Sequence, residues 1–582
     1  MEKVLVLLFL CFSGVLCKQY DVIVVGAGGS GSVVAAQLSA NPRTKVLLLE
    51  RGDDNSDLFN NVVFFWDAPI VGAGARINQL TSSNFYVNKL YSQEFNLNMR
   101  SLPTFTPITA GGGTSINGNA FGRYTADDMA SWGMPGLTYE ETINDWKAME
   151  RCVGDACNPA YHGTSGPIAT RTIQPNSVLQ QIMNVMPGIF GVPLNPDTNG
   201  PNATGIGLLP RNIDVIEGTT TLPSTETVLQ QLHIDPKRLK EALPRSYSKF
   251  HKYQNHSNLV TGIPIRQDSW SRFVKPVLSR PNLTVKLGAK VLKLELKSNG
   301  KHDVVYEYQN NIYRDKAGKT VVLSAGVYST PQLLMLSGIG PRAHLENLGI
   351  DVVVDNPHVG QNLQDSILTS AIYATPVAPA APSPGSIVVG YYRSPTFTDE
   401  GTDMEVAIAA ISGPPAPPTF VQLYLVQLTQ LRHNAVGSLT LQTKNPNMPP
   451  LFSFNMYSTD EEVQPLVDQF KKIRLTMASS GIPFTEVSPG YTAVPLNATD
   501  AQITQYLKSV VNVEWHTVGT CSLGKVVDHR FRLIDGNGKV IPGVRIIDLS
   551  TVPKRGRSHG TSSGSMFLGM VGSRFIKEDL GL

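Results

Sequence analysis

Tyr20-Asp21-Val22-Ile23-Val24-Val25-Gly26-Ala27-Gly28-Gly29-Ser30-Gly31 opens the main body of the chain and decides its fold. Its first half is an apolar, β-branched run of the kind found in strands buried on both faces. Gly26, Gly28 and Gly31 follow in G-x-G-x-x-G spacing, and Ser32 to Ser39 reads as a helix of small and apolar residues. Lys45 to Glu50 is a second buried strand closed by an acid. Strand, glycine turn, helix and strand form a βαβ unit of the dinucleotide-binding type. Gly26 permits the tight turn, Gly28 lets the backbone approach a pyrophosphate, and Gly31 lets helix and sheet pack closely. The helix N-terminus then offers unpaired N–H groups to the phosphates. Glu50, 19 residues after Gly31, stands where an acid accepts hydrogen bonds from ribose hydroxyls.

Upstream, Glu2 and Lys3 precede an apolar run from Val4 to Leu16 that ends at Cys17. It is short for a bilayer span, and with its charged start and small or neutral end it reads as a secretory signal peptide, residues 1–17, with a signal anchor as the alternative. Nothing downstream is a long enough apolar stretch for a membrane helix, so no stable membrane insertion is expected. Cys152, Cys157 and Cys521 remain after cleavage, and the first two can close a small disulfide loop in an oxidising compartment. Sequons at Asn202, Asn255, Asn282 and Asn497 agree with a secreted, extracellular glycoprotein.

The 582 residues allow roughly four domain-sized units. With 49 Lys and Arg against 46 Asp and Glu, and no long basic block, a nucleic-acid partner is disfavoured. From Tyr139 to Thr261 periodic signals are sparse. Strand-like text returns at Leu283 to Leu296, Asp303 to Gln309 and Lys319 to Ser324, and a helix is expected over Pro331 to Ser337. Two Pro-rich loops, Thr375 to Ser386 and Gly413 to Thr419, separate alternating runs such as Thr419 to Gln427 and Gly437 to Leu441.

Four ordered motifs resemble the glucose-methanol-choline (GMC) oxidoreductase family, nearly end to end. They are the opening glycine stretch with Glu50; Gly111-Gly112-Gly113-Thr114-Ser115-Ile116-Asn117-Gly118; Ser324-Ala325-Gly326 through Gly340-Pro341; and Trp515-His516-Thr517-Val518-Gly519-Thr520 with Asp548-Leu549-Ser550-Thr551-Val552-Pro553 ahead of His559. The resemblance implies an α/β protein of two units. A Rossmann-like FAD-binding domain would comprise 18–138, 270–368 and 505–582. A substrate domain of 139–269 and 369–504 would be an antiparallel sheet roofing the flavin, with helices on its outer side. It implies FAD rather than NAD, with Gly111, Gly112, Thr114, Asn117 and Gly118 along the cofactor. Val291 matches the position whose backbone reads adenine, and Asp548 and Leu549 match the segment beside the phosphates and ribityl chain.

His516 matches the family's catalytic histidine, and His559 the position of a second His or Asn. An imidazole accepts a hydroxyl proton near neutral pH, as oxidation of a CH–OH group requires. The expected substrate is a small alcohol, with oxygen or a quinone as electron acceptor. Ile108 stands where the family usually has Arg, Ser366 where His is common, and Gly560 where Pro is frequent. A hydroxynitrile lyase acting on a cyanohydrin is the alternative. Ser558-His559 and Gly524-Lys525-Val526-Val527-Asp528 look lyase-like, whereas Thr517-Val518-Gly519-Thr520 resembles redox-active members. A secreted flavoprotein without catalysis is disfavoured because both histidines are kept. Gly560-Thr561-Ser562-Ser563-Gly564 fits the hydrolase nucleophile elbow, but no histidine follows it in sequence, so the triad order fails.

Overall fold

The computed structural model describes residues 18–55, 86–154, 157–216, 263–379, 385–411, 422–556 and 560–582. The expected signal peptide, Asn255, His559, the loop Gly413 to Thr419 and part of the loop Thr375 to Ser386 lie outside the described residues.

Strand β1 (Gln19–Val25), helix α1 (Gly29–Leu38) and strand β2 (Val46–Glu50) form the expected βαβ unit. β1 and β2 run parallel, and Leu283–Leu287 continues the parallel order beyond β2. On the other side of β1 lies the 13-residue strand Asn311–Leu323. Its first half pairs antiparallel with Asp303–Tyr308, and its last three residues pair parallel with Val540–Ile546. Every residue of β2 and the last four of β1 are buried, as strands covered on both faces must be.

The run Leu283 to Leu296, read as one strand, is two. Leu283–Leu287 and Lys290–Glu295 are separated by Gly288 (φ +73°), so the first runs parallel to β2 and the second antiparallel to Asp303–Tyr308. The helix expected from Pro331 starts earlier, at Gly326, and runs to Leu336 with Pro331 inside it. Proline has no N–H for the carbonyl four residues back. Here the hydroxyl of Thr520 donates to that carbonyl, of Val327, at 2.6 Å, so the helix continues.

The C-terminal helix Thr561–Leu580 packs on α1 at very short range. A Cβ on Gly569 would stand 2.7 Å from the Ser30 carbonyl and from Val33, and one on Gly29 would strike Ser565. The hydroxyl of Ser30 donates to the Ser565 carbonyl at 2.6 Å. Helix Tyr139–Met149 covers the same C-terminal helix, with Trp146 stacked on Phe567.

A second, antiparallel sheet is ordered Thr485–Ser488, Ile367–Thr375, Gln422–Gln430, Met404–Ile411, Ile387–Tyr392 and Gly205–Leu208. Helices Ser177–Phe190 and Gln464–Ser479 pack on it. Asn512 and Val513 pair with Leu368 and Ile367, so the chain leaves this sheet directly for the nucleotide side. The expected pair of units, one Rossmann-like and one an antiparallel roof with flanking helices, is the observed α/β architecture. Among the described residues no helix is long and apolar enough to cross a membrane.

Candidate active site

At the C-terminal ends of the parallel strands, where this sheet type places its ligands, Val25, Glu50 and Ser324 open onto a cavity of roughly 530 Å³. The cavity floor is made by two glycine stretches that touch. Gly26 has φ +98°, and a Cβ there would lie 2.4 Å from the Ser324 carbonyl. The N–H of Gly111 bonds to the Ala27 carbonyl at 2.7 Å, and a Cβ on Gly112 would stand 3.0 Å from Gly28 Cα. Gly28 itself has open space where a side chain would be, with nothing within 4 Å.

Gly26, Gly28, Glu50, Gly112, Thr114, Asn117, Gly118, Val291, Asp548, Leu549 and His516 all line this one cavity. Gly31 and Gly111 do not. Gly31 serves packing, since a Cβ on it would lie 1.9 Å from the Gly26 carbonyl. At Gly111 (φ +85°) a Cβ would strike Ser115.

Several of these side chains hold the cradle together. The carboxylate of Glu50 accepts the N–H groups of Ala27 and Gly52, each at 2.7 Å. Burial pushes its carboxyl pKa up, against those two donors. Asp548 accepts from Gly326 N, the Thr330 hydroxyl and Ser550 N, and thereby completes the N-terminus of helix Gly326–Leu336. At Val291 the strand register shifts by one residue against its partner, a bulge that takes backbone groups out of the ladder beside the cavity.

Sequence reading missed two buttresses. Arg211 and Arg266, both buried, donate to the carbonyls of Gly118 (2.9 Å) and Asn117 (2.7 Å) and fix the second glycine stretch from behind. Burial pushes both guanidinium pKa values down to about 10. They lie some 90 and 150 residues from that stretch in sequence, and no local pattern marks them.

His516 lies on the loop after Asn512–Val513. Its backbone N–H donates to Asp365 at 3.0 Å, and the neighbouring Thr517 hydroxyl donates to the other Asp365 oxygen at 2.7 Å. Burial pushes the Asp365 carboxyl up, against the Arg555 charge and the Thr517 hydroxyl. Thr517 also meets the Tyr328 hydroxyl at 2.8 Å. The His516 Nδ1 lies 3.3 Å from a carboxylate oxygen of Glu514. Between them Trp515 holds φ +60°, unusual for a bulky residue, braced by its indole N–H on the Pro103 carbonyl and by Phe105. The roof contributes Leu368, Ile387 and Gln427.

Ser562 and Ser563 begin the C-terminal helix, where Asn117 donates to the Ser562 hydroxyl, and Ser563 bonds to Gly122. Neither stands on the strand-to-helix turn that a nucleophile elbow needs. Cys152 and Cys157 are disulfide-bonded and Cys521 is buried and free. Asn282, one of the four sequons, spends its side-chain amide on the carbonyls of Ser39, Asn41 and Thr44.

A flavin dinucleotide needs a point where its phosphates reach bare backbone, acceptors for the ribose, and a long enclosed slot. Open space at Gly28, Glu50 on the wall and a single cavity from Val291 to His516 fit those needs.

Family models described as GMC oxidoreductase match residues 20–368 and 433–567. An oxygen-dependent choline dehydrogenase of Acinetobacter baumannii (strain AYE) is 26% identical over 92% of both chains. An FAD-dependent oxidoreductase from Chaetomium thermophilum superposes with a TM-score of 0.75 at 20% identity, covering 97% of this chain and 100% of that one. A fungal aryl-alcohol oxidase gives 0.73 at 17% identity, covering 97% and 100%.

Proposed function

The chain belongs to the GMC oxidoreductase family, whose cofactor is FAD, and on that premise we propose that it oxidises the CH–OH group of a small alcohol with His516 as the base. The observation that carries this reading is the placement of His516 in the same cavity as the two glycine stretches, its backbone anchored by buried Asp365. Gly26, Gly28, Gly112 and Thr114 would hold the dinucleotide beside the N-terminus of α1, with Gly31 and Gly111 supporting them. Glu50 would face the ribose, the Val291 backbone the adenine, and Asn117, Gly118, Asp548 and Leu549 the rest of the cofactor. When bound, the flavin supplies the acceptor for the hydride that leaves the carbinol carbon. His516 takes the hydroxyl proton. Thr517, tied to Asp365 and Tyr328, keeps the histidine loop from shifting. The apolar roof residues Leu368 and Ile387 exclude water from that proton transfer. His559 is assigned to hold the substrate oxygen. Oxygen or a quinone takes the electrons onward.

Anaerobic mixing with a panel of alcohols tests the proposal. The flavin absorbance should bleach with at least one, and His516→Ala should slow that bleaching roughly 10²–10⁴-fold, the usual worth of a positioned base. A flavin that stays oxidised while mandelonitrile releases cyanide would replace oxidation by the lyase reading, which Gly524 to Asp528 favours. The apolar run Val4 to Leu16 supports secretion as a further part of the proposal.

A further inference from the structure

We propose that Gln427 is a specificity-determining residue, and that the alcohol taken by this site carries a second, neutral hydrogen-bonding group held by the Gln427 amide. The inference rests on the reading of His516 as the base acting on an alcohol. Strand Gln422–Gln430 of the antiparallel roof brings Gln427 to the wall of the cavity that His516 also lines. Among the described residues of that sheet's strands, Leu368, Ile387 and Gln427 reach the cavity, so Gln427 is the roof's one polar side chain there.

Its neighbours on that face are mostly apolar. Side chains alternate along a strand, so Gln427 points to the same side as Leu425, while the fully buried Val426 and Leu428 point to the other. Across the ladder on one side stands Ala407, part of a small apolar cluster with Val389 and Ile387. Across it on the other stands Ser370, and no hydrogen bond joins the Gln427 amide to Ser370 or to any other described residue. A glutamine amide offers two N–H donors and a carbonyl acceptor. Gln427 is half-buried, and a ligand that fills the cavity displaces the water its amide could use. Leaving it unpaired is then unfavourable. A hydroxyl or carbonyl on the ligand satisfies the amide, and an alkyl group does not.

Strand register sets where on the substrate that group belongs. Leu368 pairs with Asn512 on one side and with Thr429 on the other. The strand that leads into His516 and the strand that carries Gln427 therefore flank the strand of Leu368, two strand spacings apart, about 10 Å between backbones. The carbinol at His516 and the group at Gln427 are opposite ends of the substrate. Between them Leu368, with the edge-to-face pair of Phe105 and Trp515 that also lines the cavity, meets an apolar middle.

Two matched pairs of compounds test this in the holoenzyme. The first is para-(hydroxymethyl)benzyl alcohol and para-ethylbenzyl alcohol, in which a methyl replaces the far hydroxyl. The second is para-hydroxybenzamide and para-methylbenzamide, which differ in the same way and contain no carbinol. At low concentration the hydroxymethyl alcohol should reduce the flavin anaerobically roughly 10–100-fold faster than its ethyl partner. Shifts in flavin absorbance should show para-hydroxybenzamide binding more tightly than para-methylbenzamide by a similar factor. Gln427→Leu should abolish both preferences and unfold at or above the wild-type midpoint, since no bond within the protein is lost. Wild type without a preference in the amide pair, a leucine variant that keeps that preference, or a lowered midpoint in the variant overturns the proposal. If the amide preference is present and lost in the variant while no alcohol reduces the flavin, the role of Gln427 stands and the oxidation reading fails.

Discussion

Gly28 and Gly31 sit three residues apart in one motif, yet alanine at each should fail for a different reason. At Gly31 a Cβ would lie 1.9 Å from the Gly26 carbonyl, about 1.5 Å short of ordinary contact. That carbonyl has little room to retreat. Gly26 N is bonded to Leu49 O at 2.7 Å and the next N–H, of Ala27, to Glu50 at 2.7 Å. Overpacking against fixed backbone falls at the upper end of the usual range, about 3 kcal/mol, or roughly 100-fold in the folded-to-unfolded ratio. Gly28 has φ −73°, which any residue adopts, and nothing stands within 4 Å of its absent Cβ. Apoprotein carrying Gly28→Ala should unfold at or slightly above the wild-type midpoint, because alanine removes freedom from the unfolded chain. Its Cβ projects into the cavity, where the proposed reading puts the pyrophosphate, and FAD should bind roughly 10–100-fold more weakly, as for about 1–3 kcal/mol of steric cost. Chemical unfolding of both apoproteins and fluorescence titration with FAD separate the effects. A Gly31→Ala protein with the wild-type midpoint, or a Gly28→Ala protein with wild-type FAD affinity, would refute the assignment of the two glycines.

Burial disfavours a charged His162, but its hydrogen bonds to Asp197 (3.1 Å) and Glu150 (2.7 Å) outweigh that and raise its pKa to about 9. A folded value above the unfolded one gives stability that is complete below about pH 6.5 and lost as pH rises through about 9. Unfolding midpoints measured across that window should fall for wild type, and the slope should flatten in His162→Gln. Replacing both Cys152 and Cys157 by alanine opens a loop of sequence separation 5, and chain entropy for so short a loop sets the loss at about 2 kcal/mol. An unchanged denaturation midpoint would refute that. Protein made by a eukaryotic secretory host should begin near residue 18 on N-terminal sequencing, and a chain still starting at Met1 contradicts the signal-peptide reading.

Much of the architecture was legible because its signals are local. A buried strand, a glycine turn and a small-residue helix lie within about twenty residues, and short-range steric rules decide their form. Helices Tyr139–Met149 and Ser177–Phe190 went unread although Thr138 and Glu141 form a capping box and Asn176 caps the second. The surrounding Pro, Asn and Thr obscured these end signals. The break at Gly288 was equally local, but alternation continues across it and hides a change of strand direction.

The glycine stretches, Glu50 and the motif around His516 are recognisable from their immediate neighbours along the chain. Tertiary structure alone decided how those groups are held. Arg211 and Arg266 grip the Asn117–Gly118 carbonyls, Thr520 satisfies the carbonyl that Pro331 leaves, and Arg555 faces Glu514 through Ser366. Each of these contacts joins residues far apart in the chain. Each arises because a buried polar group must find a partner wherever folding brings one within reach, and no pattern of spacing in the sequence records which partner that is.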